Sequence, residues 1–111
     1  MAKRDVLSGF ELLLLLTIIR LGDDAYGVPI ADAIEAASNR RVSVGSLYLT
    51  LERLKSHGFL TSRLADPTPE RGGRAKTYFR ITGKGLCALR QTQRTLVTLW
   101  TGVPQLHGIP T

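Results

Sequence analysis

What the chain lacks narrows its possible roles. Cys87 is the one cysteine among 111 residues, so no disulfide can form within the chain and no thiol cluster can hold zinc. A lone cysteine in an apolar helical pattern reads as a small core or interface residue. The two histidines, His57 and His107, have no cysteine or paired carboxylate at metal-ligand spacing. The apolar run Leu12–Ile19 is far shorter than the roughly 20 residues that span a bilayer. The opening MAKRDVLSGF has no secretory leader pattern. The expectation is a cytoplasmic protein with no membrane partner. No nucleophile–base pair is recognisable, and Asp23-Asp24 read as a turn that caps the next helix. The chain is therefore expected to be no enzyme and to need no cofactor or metal.

Two glycine motifs fail on context. Gly83-Lys84-Gly85-Leu86-Cys87-Ala88 fits G-x-G-x-x-A, but a dinucleotide site needs a further parallel strand and an acidic residue about 20 positions on. The chain instead offers one helix and a Pro/Gly tail. Gly72 to Thr77 lacks the Gly-Lys-Ser/Thr ending of a phosphate loop.

Acidic residues are also scarce: nine against 15 basic ones, a formal charge of +6. The whole excess lies between Pro67 and Thr95, where seven basic residues face the single acid Glu70. A basic stripe of this kind is the electrostatic footprint of a nucleic-acid binder.

The apolar fraction of 43% suits one folded domain. Ser8 and Glu11 have capping-box spacing at the start of a first helix. Leu12 to Leu16, Ile18, Ile19 and Leu21 make that helix apolar nearly all round, so it is expected to be buried on more than one side. One side is expected on the core and another on a second subunit, the alternative being the central helix of a monomer. Phe10, Leu14 and Ile18 are assigned to the subunit side. Gly22 ends the helix. A second helix spans about Tyr26 to Ala37, with Ile30, Ile34 and Ala37 inward, Asp32 and Glu35 outward, and Pro29 tolerated in its first turn.

The third helix starts at its N-cap Ser43. Val44, Leu47, Leu51 and Leu54 form its buried stripe, and Gly58 closes it. Residues 59–65 and 76–81 read as two strands around the Pro/Gly/Arg-rich loop 66–75. Thr82 caps a last helix. On it Leu86, Leu89, Gln93, Leu96 and Trp100 recur at spacings of 3 and 4, a seam suited to a partner helix.

The order helix, helix, helix, strand, wing, strand, helix is a winged helix-turn-helix: mainly α, with a small two-stranded antiparallel wing and a C-terminal dimerisation helix. Three regions follow: 1–82 as the DNA-binding domain, 83–101 as the dimerisation helix, and 102–111 as an irregular tail. Such a fold offers a helix to the major groove and a basic hairpin to the flanking phosphates. Ser43 and Ser46 can donate to phosphates or base edges, Gly45 allows close backbone approach, and Tyr48 can donate its hydroxyl from the helix–wing junction. Thr50 and Arg53 are contacts further along. Arg71, Gly72, Gly73, Arg74 and Lys76 are the wing contacts.

The segments ELLLLLTIIRLG, DDAYGVPIADAIE, VSVGSLYLTLERLKSHGFLTSR, PTPERGGRAKTYFRIT and GKGLCAL together resemble the PadR family of bacterial transcriptional regulators over about residues 9 to 100. The resemblance implies a homodimer, usually a repressor, that binds a palindromic double-stranded DNA operator on the nucleoid and pairs through its C-terminal helices. The single last helix implies the short subgroup. A rival reading is a ligand- or protein-binding winged helix without operator recognition, holding a small aromatic effector beside Trp100 at the dimer interface.

Overall fold

The computed structural model describes residues 6–65 and 76–106. Helix α1 covers Gly9–Leu21, a 3-10 turn Gly22–Asp24, α2 Gly27–Ser38, α3 Val44–Ser56, strands β1 Leu60–Leu64 and β2 Thr77–Ile81, and α4 Gly83–Trp100, followed by a 3-10 turn at Pro104–Leu106. The wing loop 66–75, with Arg71, Gly72, Gly73 and Arg74, lies outside the described residues.

Local chemistry sets the helix boundaries. At α1 the Ser8 hydroxyl accepts from the Glu11 N–H at 3.3 Å, and the Glu11 carboxylate accepts from the Ser8 N–H at 2.9 Å, completing the capping box. Ser43 caps α3 by accepting from the Ser46 N–H at 3.1 Å. His57 is the cap residue at the far end, and Gly58 follows it at φ 81°, a conformation glycine adopts without penalty. Asp23 and Asp24 do not cap α2: its cap residue is Tyr26, with no side-chain bond, because the aspartates are taken up in the 3-10 turn.

The strands pair antiparallel from Leu60↔Ile81 to Leu64↔Thr77. Leu60, Ser62, Phe79 and Ile81 share the inward face, while Thr61, Arg63, Tyr78 and Arg80 share the other. A further piece of extended chain was not legible in sequence. Ala25 accepts from the Phe79 N–H at 2.8 Å, and Tyr26 bridges to Tyr78, so the segment before α2 runs along the free edge of β2.

The core is aliphatic and is supplied by every element. Leu14, Leu15 and Ile18 of α1 meet Ile30 and Ile34 of α2, Leu47, Leu51 and Leu54 of α3, Leu60 and Phe79 of the strands, and Leu89 of α4. Several inward and outward assignments change. Val44 is exposed, and Val42, two residues earlier and before the helix begins, packs on the core instead. Ala37 is exposed at the end of α2. Glu35 is half-buried, because its carboxylate accepts from the Val42 N–H at 2.7 Å and pins the turn between α2 and α3.

One threonine hydroxyl joins α3 to α4. Thr82 Oγ1 accepts from the Gly85 N–H at 3.0 Å and donates to the Gly58 carbonyl at 2.6 Å. Gly85 lies so near β1's entry that a Cβ there would strike the Phe59 carbonyl oxygen. The second glycine of the failed dinucleotide motif is thus a packing residue.

Thr92 closes the domain from the other side. Its buried hydroxyl accepts from the Leu7 N–H at 3.0 Å and donates to the Ala88 carbonyl at 2.9 Å. Thr92→Val keeps the shape but leaves the Leu7 N–H without its acceptor. Urea unfolding should show a loss of about 1–3 kcal/mol; no change in the midpoint would show that the N-terminal segment is not held there.

Candidate nucleic-acid interface

Helix α3 is amphipathic in a way that fixes its orientation. Leu47, Leu51 and Leu54 are buried, so the opposite side and the N-terminal turn face outward. Ser43, Val44, Gly45 and Ser46 are all exposed. The Ser43 hydroxyl oxygen is engaged as the cap acceptor, which leaves its O–H free to donate. A Cβ at Gly45 would meet no atom within 4 Å, so the glycine leaves open space in front of the helix rather than serving a packing contact. The first N–H groups of the helix and its positive dipole end suit a phosphate.

The remaining α3 positions divide. Tyr48 is half-exposed and its hydroxyl rests against Gly27 at the start of α2. Thr50 is only 7% exposed, on the core side between Leu47 and Leu54, and is withdrawn from any DNA contact. Arg53 is exposed in the last turn. It lies about 15 Å along the axis from Ser43, at 1.5 Å per residue, so it suits a flanking phosphate or its own helix dipole rather than the bases beside Ser46.

Three features of this face were missed in the sequence. Arg40 and Arg41 stand exposed just ahead of the Ser43 cap, with Val42 between. Their signal was their position: a basic pair within three residues of an N-cap extends the positive end of the helix. Leu49 is 62% exposed on α3, an apolar side chain able to meet a thymine methyl. The third feature is an aromatic plate at the wing root. The Tyr26 and Tyr78 ring centroids are 5.2 Å apart. Lys76 Nζ lies 4.5 Å from the Tyr26 ring centre, and the Arg63 guanidinium lies 5.0 Å from that of Tyr78. Cation–π contacts of this kind hold a charge in place without neutralising it. Lys76, the described member of the expected wing contacts, is thereby held beside Tyr26 at the start of β2. Arg80 pairs with Asp23 at 3.6 Å, with both side chains largely exposed, so that pair adds little.

Three residues expected at a subunit face lie in the core. Leu14 and Ile18 are completely or almost completely buried in the chain's own core, as is Leu89, so none of the three is available to a partner. Phe10 is half-buried against the core. The exposed apolar side of α1 is instead Leu13, Leu16 and Ile19, one helical turn apart in succession. On α4, Leu86, Leu96 and Trp100 are exposed, Gln93 lies exposed between them, and Val97 and Leu99 add to the apolar surface. Cys87 is exposed rather than buried in the core.

The Gly27–Tyr48 contact makes a test. Gly27→Ala forces Tyr48 aside, because the new methyl and the hydroxyl cannot share one place. The single variant should lose stability and weaken DNA binding. Adding Tyr48→Phe should recover part of the stability, giving a coupling of about 0.5–3 kcal/mol in a double-mutant cycle. Strict additivity would show that the two residues do not meet.

Comparison with known proteins accords with this geometry. Transcriptional regulator Rv3488 of Mycobacterium tuberculosis is 43% identical over 61 residues, which cover 53% of this chain and 51% of that protein. The match thus spans about half the length of that relative. A PadR-like transcription factor from Bacteroides fragilis superposes with a TM-score of 0.68 at 26% identity, covering 81% of this chain and 82% of the other. A PadR family regulator from Eggerthella lenta gives 0.67 at 26% identity, covering 91% and 85%. A PadR-like regulator from Bacillus cereus gives 0.71 at 24% identity, covering 91% and 93%, a likeness of fold. Residues 15–91, well over half of the chain, match the transcriptional regulator PadR-like family, and the chain belongs to it.

Proposed function

We propose that this PadR-like protein is a homodimeric, sequence-specific DNA-binding regulator that represses transcription from a two-fold symmetric operator. The observation that carries the reading is the exposed N-terminal turn of α3. Ser43, Gly45 and Ser46 stand open there, with Arg40 and Arg41 beside them and Lys76 fixed at the wing root. The arrangement positions itself by phosphate contacts and reads base edges with few side chains. No arginine lies in the first turn of α3, so bidentate guanine readout there is absent and groove shape supplies part of the specificity.

Dimerisation follows from uncovered apolar surface. Leu13, Leu16 and Ile19 on α1, with Leu96, Val97, Leu99 and Trp100 on α4, are too many exposed large apolar side chains for an 18-residue helix and its neighbour to leave in water. In this reading the first half of α4 belongs to the chain's own domain, through Gly85, Leu89 and Thr92, and the second half to the partner. Trp100 is part of the seam, and an aromatic effector would have to share it. The roles assigned to Arg71, Gly72, Gly73 and Arg74 are part of the same proposal: a basic wing tip on the flanking phosphates.

The reading implies a non-enzymatic protein that works where the chromosome is. Among the described residues, no helix is long and apolar enough to cross a membrane. Selection from random duplex DNA with the purified protein should return one two-fold symmetric sequence, with half-sites about one helical turn apart. Placed over a promoter, that sequence should lower expression when the protein is present. Return of no enriched sequence, or of a single asymmetric half-site, would contradict the proposal.

A further inference from the structure

Below the N-terminal turn of α3 lies a groove of about 620 Å³, bounded by the starts of α1 and α3 and the end of α2. That volume lies within the roughly 300–1,000 Å³ of small-molecule sites. Its floor is apolar and mostly aliphatic: Phe10, Leu12, Ile34 and Val42. Its rim carries Arg40 and Arg41, and no acidic side chain among the described residues lines it. Neither arginine has an ion-pair partner among the described residues. The nearby carboxylate of Glu35 is committed to the Val42 N–H at 2.7 Å, which also holds the rim in shape.

An apolar floor under an unneutralised pair of guanidinium groups is complementary to one kind of small molecule. The head must be anionic and planar, to take paired N–H donors from arginine. The tail must be apolar. Among the described residues Phe10 is the one ring on the floor, so a flat aromatic tail finds no pair of rings there to sit between, whereas an alkyl chain fits branched aliphatic walls. We infer that this groove binds a small amphipathic carboxylate with an aliphatic tail, the head on Arg40 and Arg41 and the tail over Leu12, Ile34 and Val42.

The consequence for regulation rests on the DNA-binding reading above. Ser43 and Ser46 line the groove and also form the face offered to DNA. A carboxylate on the rim neutralises the two arginines and meets incoming phosphate with like charge. Ligand and operator therefore compete for one surface, and release of DNA needs no change in the spacing of the paired recognition helices.

The probe is decanoate, titrated below its micellar range into isotope-labelled protein without DNA. Saturable amide shifts are expected at Val42, Ser43 and Ser46, with one site per chain. Decanol, which has the tail without the charge, should bind at least about tenfold more weakly, a difference of about 1.4 kcal/mol. The Arg40→Gln/Arg41→Gln double variant should lose decanoate affinity by a similar factor and keep its thermal midpoint, since both side chains are exposed. Absence of saturable shifts, equal binding of decanol, or shifts centred on Leu96 and Trp100 would each overturn the site. So would self-association of the protein through Val42 to Ser46 that decanoate cannot displace.

A second arm uses the selected duplex. Decanoate should raise the apparent Kd for DNA in proportion to its concentration. Bound decanoate with unchanged DNA affinity would overturn the competition and leave the site standing. If the protein binds no duplex at all, the first arm still decides the groove, and it is the DNA reading that fails.

Discussion

The burial of α3 on one side only is the constraint on which the rest depends. Leu47, Leu51 and Leu54 lock the helix against the core, and no other rotation of α3 keeps all three from water. Given that rotation, the chain before it decides what the free end displays. Glu35 holds the Val42 N–H, Val42 packs inward, and Ser43 starts the helix, so the exposed turn begins with two arginines and a hydroxyl cap. Tyr48 against Gly27 then ties the outer side of α3 to the start of α2, and Tyr26 continues from that point to the wing root. The outer side of α3 and the root of β2 are thus joined through Tyr48, Gly27, Tyr26 and Tyr78.

The same core explains why the chain does not finish its own surface. Helix α1 is apolar on nearly every side, but a domain of this size has room to cover only one of them. Burial takes Leu14, Leu15 and Ile18 and leaves Leu13, Leu16 and Ile19 outside. Helix α4 shows the same division along its length: Gly85, Leu89 and Thr92 are covered, while the last turns are not. In the proposed dimer these uncovered apolar residues on two adjoining elements would meet a second copy, and two copies would bring two α3 helices to one duplex.

Much of this was legible in the sequence, because capping chemistry and hydrophobic periodicity are local. The caps at Ser8, Ser43 and Thr82, the glycines after α1 and α3, and the two strands all stand where the sequence puts them. What failed depends on azimuth and depth. A helix apolar all round does not say which leucines its own domain will claim, so Leu14 and Ile18 were placed outside although they are core. A heptad seam does not say where the domain ends, so Leu89 was given to a partner. Thr50 and Val44 were exchanged between inside and outside because the buried stripe begins at Val42, before the helix does. The Tyr26–Tyr78 plate and the Ala25–Phe79 bond join residues more than 50 positions apart, and no local pattern announces them.

The central claim is that paired copies of this chain present two α3 N-termini to one DNA duplex. The most direct measurement is sedimentation of the protein alone and with a duplex carrying its selected site, at about 50 mM salt, where phosphate contacts are strong. The account predicts a dimer in solution and two chains on each duplex. A monomer that binds no duplex under these conditions, or one chain per duplex, would contradict it.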